Sequence, residues 1–302
     1  MNGPDRLNPA FNAPLDSCPL CGGDRIGRAY AIDAGSPPFT VDRCASCNFM
    51  FMNPRFSDGT IRGFYDEGYY TGGSEYAYYD ERAAEPYARH VWDGRISVIR
   101  RYVPGGNFLD VGSAFGGLLS AAEKYFTPYG IELSPYAAAH SRSAFGDRVH
   151  NGTLEDHPFA PGFFSVISMV ELIEHLPDPL AALRECHRLL TRGGLLLVQT
   201  ANMDGLQARL LGKDYAYFMP GHLSYFSMSN LTGALRRCGF DAIKIFYPVE
   251  FGLVPKLKKS RYWIVSPWDY RKWVRISAYH LISKIHIARF AMTSSMVIYA
   301  FK

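Results

Sequence analysis

Residues 107–118, NFLDVGSAFGGL, decide how the rest of the chain is read. An apolar run ends in an acid, Asp110, and a turn containing Gly112, Gly116 and Gly117 follows at once. In an open α/β sheet, ligands bind where a strand hands over to its helix. There glycine lets a ligand approach the backbone, and amide hydrogens at the helix start attract anionic groups. The spacing is D-x-G-x-x-x-G, without the G-x-G-x-x-G of dinucleotide enzymes, so the turn alone does not choose a cofactor. A second acid, Glu132, falls 20 residues after Gly112 in YGIELSP, at the end of the next expected strand. A carboxylate there can accept both hydroxyls of a ribose. The two acids point to a nucleoside-bearing ligand, and nicotinamide cofactors satisfy the same pair.

Outward from this stretch, strands and helices alternate, the pattern of a parallel sheet covered on both faces. Strands are expected at 107–111, 128–132, 148–150, 164–169 and 194–200, then at 241–249 and 294–301. In DPLAALRECHRLL, Leu180, Leu183, His187 and Leu190 share one helical face, with Asp178 and Pro179 as the start and a glycine pair after the end. His187 on that stripe, and Cys186 and Cys238 in helices, read as packing residues; a further helix is expected at 228–238. With 302 residues and 48% apolar content, the chain suffices for one large α/β domain and a small satellite.

Four cysteines make the satellite. Cys18 and Cys21 in CPLC, and Cys44 and Cys47 in CASC, form two knuckles that together supply four thiolates for tetrahedral zinc. A metal with four protein ligands has no open position, so the expected zinc is structural. The expected division is a zinc ribbon at 1–60, a tyrosine-rich linker or lid at 61–94 and the main domain at 95–302.

The run from FLDVGSAFGGLL through YGIELSP, NGTLEDHPF, FSVISMVELIEHLPDPLAALRECHRLL and TRGGLLLVQT resembles the class I S-adenosylmethionine-dependent methyltransferases over about residues 95–250. CPLC, CASC, FMFMNPR, YDEGYY and GHLSYFS are similar to bacterial members that carry a zinc ribbon ahead of the catalytic domain, many acting on sugars or other small metabolites. The resemblance implies a Rossmann-like seven-stranded sheet and S-adenosylmethionine as cofactor. It places Asp110, Gly112, Ser113 and Gly116 at the methionine end, Glu132 and Leu133 at the ribose, Thr153 and Leu154 at the adenine, and Met169 and Val170 beside the methyl donor. This chain departs from the family in having Ala114 at the usual middle glycine, Ser113 at a common cysteine position and Thr153 where aspartate is frequent. Glu174 and His175 match the family and read as mainly structural.

A hydroxyl acceptor must lose a proton, which asks for a base near neutral pKa. His222 in GHLSYFS is the preferred base, although Gly221 stands where relatives often have a glutamate; Tyr70, Tyr225, Tyr76 and Tyr217 are candidates for orienting the acceptor. The leading expectation is a sugar or nucleotide-sugar hydroxyl as acceptor. A lipid or quinone-like acceptor at a membrane surface is the alternative, and a non-catalytic zinc-ribbon binding protein is a third reading.

Charge is uneven along the chain. From Gly252 to Lys302 ten Lys or Arg stand against the single acid Asp269, so that segment carries +9 and the remainder −5 of a net +4. The segment 252–293 is an insertion where a short connection between the last two strands is expected, and it mixes bases with Trp263, Trp268 and Trp273. A substrate cap, a peripheral membrane contact through 256–290 and an assembly interface all suit it. Nucleic acid is not expected as a partner, because the ribbon is not strongly basic. The N-terminal MNGPDRLNPAFNAPLD has no apolar run, and no later stretch approaches the roughly 20 uncharged residues that span a bilayer. The expected location is the cytoplasm, with attachment at the inner membrane face as the peripheral case.

Overall fold

The computed structural model describes residues 10–33, 37–64, 69, 82–264, 266–287 and 290–302. A seven-stranded sheet is built from β4 (Asn107–Val111), β5 (Thr127–Glu132), β6 (Val149–Asn151), β7 (Phe164–Val170), β8 (Leu190–Ala201), β10 (Ala242–Phe246) and β13 (Ser295–Phe301). Its order is β10-β13-β8-β7-β4-β5-β6. Pairing is parallel from β6 to β8, and β13 runs antiparallel to both of its neighbours. β4 lies inside the sheet, between β7 and β5, with Phe108 and Leu109 buried, which is why it reads as a continuous apolar run and not as an alternating one. The strand order reverses at β4 and β7, and the crevice beyond their carboxyl ends is where ligands bind in such sheets.

All seven expected strands are present, with shifted ends. β8 begins at Leu190, before the glycine pair expected to follow the helix, and Gly193 bends within it at φ +74 while donating its N–H to Lys302 O. The preceding helix, Pro179–Leu189, starts as expected: Asp178 Oδ1 accepts the Ala181 N–H at 2.9 Å and Pro179 occupies the first turn. Leu183, Cys186 and Leu189 are fully buried on its inner face. Burial of each leucine is worth about 1.5–3 kcal/mol. His187 packs edge-on against Phe240 at 5.2 Å, and Cys186 and Cys238 are buried, so all three are packing residues.

The cysteine-bearing unit is a sheet of β1 (Ile26–Ile32), β2 (Phe39–Cys44) and β3 (Met50–Met52). A boundary at residue 60 describes the chain order but not the packing. β9 (Ser224–Tyr225), from the main domain, pairs with β3 and completes the sheet. Asn230 Nδ2 donates to Cys47 O at 2.8 Å, Arg237 Nη1 donates to Leu20 O at 2.5 Å, and Phe49 meets Phe226 with ring centroids 5.1 Å apart. Ribbon and main domain therefore share one core.

The insertion follows β10 as helices Leu253–Ser260 and Asp269–Ile282 and a hairpin of β11 (His286–Ile287) and β12 (Phe290–Ala291). The first of these helices packs on Glu85–Ile99. Gly94 leaves the space, since a Cβ there would stand 3.1 Å from Pro255. Beside that contact Arg95 Nε meets Glu250 Oε1 at 2.7 Å, with side chains 5% and 0% exposed.

Candidate active site

A cavity of about 1310 Å³ opens beyond the carboxyl ends of β4 and β7. One end is walled by Asp110, Gly112, Ser113, Glu132 and Leu133, with Thr153, Leu154 and Val170 beside them. The other end is walled by Glu171, Glu174, His175, Tyr217 and His222, and the insertion roofs it with Lys256, Ser260, Ile276 and His280. The basic segment is thus in part a cap over the site.

At the first end, backbone geometry is set by carboxylates. Glu132 is 4% exposed; its Oε2 accepts the Ala114 N–H at 2.8 Å and its Oε1 accepts the Ser134 N–H at 2.8 Å. Asp110, 5% exposed, accepts the Ser168 hydroxyl at 2.6 Å. The amides of Gly112 and Ser113 both turn back onto Ile131 O, at 2.9 and 3.1 Å, and that of Gly116 onto Ser113 O. The amides of Gly112 and Ser113 thus tie the turn to β5 and that of Gly116 closes the turn on itself, while the Asp110 and Glu132 carboxylates line the cavity beside them. Gly112 needs its φ of +76 for this path. Ala114 takes the same left-handed region, φ +45, despite its side chain. Gly116 stands behind the wall at φ +83, where a Cβ would come within 2.7 Å of Ser141 Oγ, and Met169 is buried in the core; neither faces the cavity as expected. Thr153 does face it, with its amide held by Asp156 Oδ1 at 2.6 Å. Two buried carboxylates on a cavity wall, with Leu133 and Leu154 next to them, match the polar and apolar parts of an adenosyl ligand.

At the second end, Glu174 is 0% exposed. Its Oε1 accepts the Tyr217 hydroxyl, and its Oε2 is buried without a hydrogen-bond partner among the described residues. Tyr217 OH also accepts the Ala201 N–H at 3.1 Å and lies 3.1 Å from Thr200 Oγ1. Burial, reinforced by the neighbouring Glu171, pushes the Glu174 carboxyl well above its usual range. His222, 5% exposed, has Nδ1 2.8 Å from Tyr217 O, and His175 has Nδ1 2.9 Å from Gly221 O. A carbonyl only accepts, so both Nδ1 atoms carry the proton and both Nε2 atoms carry a lone pair. Burial lowers the His175 pKa to about 4, and burial together with His175 takes His222 well below its ordinary value, so both rings are neutral at pH 7.

Glu174 and His175, read from sequence as structural, are thus corrected to wall residues beside His222. Tyr225 is corrected in the other direction: it is buried in β9, its hydroxyl has no partner among the described residues, and it lies outside the wall. Tyr70 and Tyr76 lie outside the described residues. Sequence reading missed Glu171 and Gln199. Glu171 stands at φ +52; Gln199 Nε2 donates to Glu171 Oε1 at 2.6 Å, and its own amide oxygen accepts from Arg95. The available signal was the spacing Glu171-x-x-Glu174-His175 directly after a strand.

The four ribbon cysteines converge. Cys18 and Cys47 Sγ are 3.7 Å apart, Cys21 and Cys44 Sγ 3.6 Å, and all four sulfurs lie within 4.8 Å of one another. A tetrahedron with Zn–S near 2.3 Å has edges of about 3.8 Å, so the donor set fits zinc. A disulfide, at about 2.05 Å, is not formed.

Residues 85–245 match a family described as a methyltransferase domain. Over 108 residues the chain is 35% identical to the ubiquinone biosynthesis O-methyltransferase of Sodalis glossinidius, a match covering 33% of this chain and 43% of that protein. The protein of the same name from Xanthomonas campestris pv. campestris is 38% identical over 108 residues, 33% of this chain and 45% of its own length. The chain thus spans less than half the length of the curated relatives it matches. Among solved structures, the phosphoethanolamine N-methyltransferase 2 of Haemonchus contortus in complex with S-adenosyl-L-methionine has a TM-score of 0.51 at 17% identity, over 90% of this chain and 71% of that one. A SAM-dependent methyltransferase from Archaeoglobus fulgidus gives 0.50 at 15% identity, over 74% and 100%. These are likenesses of fold. With the family match extending over more than half of the chain, on this strand order, the chain belongs to the methyltransferase-domain family.

Proposed function

We propose that the protein is an S-adenosylmethionine-dependent methyltransferase acting on a hydroxyl of a small, quinone-like or phenolic acceptor. The observation that carries this reading is the single cavity that joins the Asp110–Glu132 wall to the Glu174–His222 wall. S-adenosylmethionine, when bound, supplies a methyl group activated as a sulfonium. Asp110 takes the methionine end and Glu132 the ribose, Leu133 and Leu154 shield the nucleoside from water, Val170 stands beside the methyl donor, and the remaining wall positions the acceptor. There Tyr217 and Glu174 orient the hydroxyl. The simplest assignment makes the neutral Nε2 of His222 the group that takes its proton. Cys18, Cys21, Cys44 and Cys47 hold a structural zinc that fastens the ribbon to the domain.

The names of the curated relatives speak of ubiquinone biosynthesis and not of sugars, so they favour the quinone-like acceptor over the sugar hydroxyl expected from sequence. The outer surface of the cap supports the same choice. Trp268 is 75% exposed, and Val274, Leu281 and Ile285 are exposed near Arg271, Arg275 and Lys284. Apolar side chains among bases suit an anionic bilayer surface, from which an apolar acceptor would be drawn. Among the described residues no helix is long and apolar enough to cross a membrane. The test incubates purified protein and isotopically labelled S-adenosylmethionine with hydroxylated quinones in anionic vesicles and, separately, with nucleotide sugars. A labelled methyl ether of the quinone is expected; label on the sugar alone overturns the acceptor assignment.

A further inference from the structure

The roof of the cavity holds a charge that the described residues leave unanswered. Lys256, on the helix Leu253–Ser260, and His280, on the helix Asp269–Ile282, both line the cavity. Trp273 Nε1 donates to Leu257 O at 3.3 Å and ties the two helices to each other. The acids whose fields reach Lys256 are engaged elsewhere: Glu250 meets Arg95 Nε at 2.7 Å, and Glu171 accepts Gln199 Nε2 at 2.6 Å and the Tyr217 hydroxyl at 3.4 Å. Lys284, the lysine that follows the second helix, is satisfied by Val249 O and Phe251 O, both at 3.2 Å. Lys256 is half-buried and has no hydrogen bond or ion pair among the described residues. Burial, with Arg95 adding to the effect, lowers its pKa to about 8, so the ammonium is still charged at pH 7. A charge taken out of water without a partner is costly, and a ligand of opposite charge offsets that cost.

His280 supplies a second donor beside it. Burial and the Lys256 charge lower its pKa to about 4, so the ring is neutral. Its Nδ1 is buried without a hydrogen-bond partner among the described residues. The tautomer protonated on Nε2 leaves no buried N–H unpaired there and makes the ring a donor at Nε2. Ile276, one helical turn before His280, lines the same cavity and adds an apolar surface suited to an aromatic ring.

We propose that Lys256 and His280 bind a carboxylate of the methyl acceptor, which makes the acceptor a hydroxylated aromatic acid; this rests on the methyltransferase reading of the cavity. One ammonium and one neutral donor match the single charge and two oxygens of a carboxylate. A phosphate, with nearly two charges, asks for a further cation or an arginine fork, and Arg95 is committed to Glu250 and Gln199. Lys256 and His280 are specificity determinants: they anchor the acceptor by its acid group, and that anchorage orients the reacting hydroxyl.

The test is calorimetric titration of the full chain, saturated with S-adenosylhomocysteine, with dihydroxybenzoate, dihydroxybenzamide and catechol monophosphate. Wild type is expected to bind the acid at least about tenfold more tightly than the uncharged amide. In Lys256→Met that preference is expected to disappear, with affinity for the amide changed by less than about threefold and the variant folded by its urea midpoint. His280→Phe is expected to reduce the preference without abolishing it. Equal affinity for acid and amide, no saturable binding of the acid at millimolar concentration, or a preference that survives in Lys256→Met overturns the assignment, and tighter binding of catechol monophosphate overturns the carboxylate. Titration with S-adenosylhomocysteine alone separates the two readings: its binding without any acid preference sinks the anion subsite and leaves the methyltransferase standing, whereas its failure to bind sinks both.

Discussion

Replacing Glu132 by glutamine tests whether the glycine turn is held by a carboxylate. In the native chain the two oxygens accept one backbone N–H each, from Ala114 and Ser134, both at 2.8 Å and in a residue 4% exposed. Glutamine has the same shape but a single acceptor, so one amide must face an NH₂ group. A hydrogen bond to a charged group contributes about 1.5–3 kcal/mol, and an unsatisfied buried N–H costs about 1–3 kcal/mol. Allowing for partial relaxation of the turn, Glu132→Gln should destabilise the main domain by about 2–4 kcal/mol. Urea unfolding followed by tryptophan fluorescence reads this, because Trp92 sits where a Cβ on Gly117 would stand, 2.2 Å from its ring. Calorimetry with S-adenosylmethionine should show binding weakened by roughly thirtyfold or more, equivalent to about 2 kcal/mol. A variant within about 0.5 kcal/mol of wild type that binds S-adenosylmethionine normally would refute the claim that this carboxylate organises both turn and ligand.

Three further outcomes are expected. Ala114→Gly should raise stability by about 1 kcal/mol in thermal or urea unfolding, because φ +45 strains an alanine and not a glycine. Cys44→Ser should remove zinc by elemental analysis and loosen the ribbon, and hydrogen exchange should rise not only at the knuckles but also at β9 and Asn230, which the ribbon packs against. Lys256 is held at a pKa of about 8 by burial, with Arg95 adding to the effect. The unfolded chain therefore binds more protons between about pH 8 and 10.5, and this group's contribution to stability rises with pH across that window. Lys256→Met should raise stability by about 2–3 kcal/mol at pH 7 and flatten the rise, measured as urea midpoints across the pH series.

Much of the architecture was written in local patterns. Strand 107–111, its acid, its turn and the acid 20 residues on are all short-range features, legible because period, glycine and charge are read within a few residues. The cysteine knuckles were legible for the same reason: ligand spacing is a local property that survives folding unchanged. The seven strands were legible too, although their order comes only from the folded chain. The direction of the amides after Asp110 was not legible, since it depends on Ile131 and Glu132 of the neighbouring strand. Nor was the fate of Tyr225, which alternates with nothing local and is buried because β9 leaves the main domain to pair with the ribbon.

The sequence by itself determined a nucleotide-type α/β sheet, a four-thiolate knuckle pair and a basic aromatic insertion, because each is a pattern of neighbours along the chain. Tertiary structure alone decided that Glu174 and half-buried His175 meet buried His222, 47 residues beyond His175, on one cavity wall, with residues of the insertion lining the same cavity. Burial and the direction of a lone pair are set by what packs from elsewhere in the chain, and those quantities turn a histidine in a loop into a base.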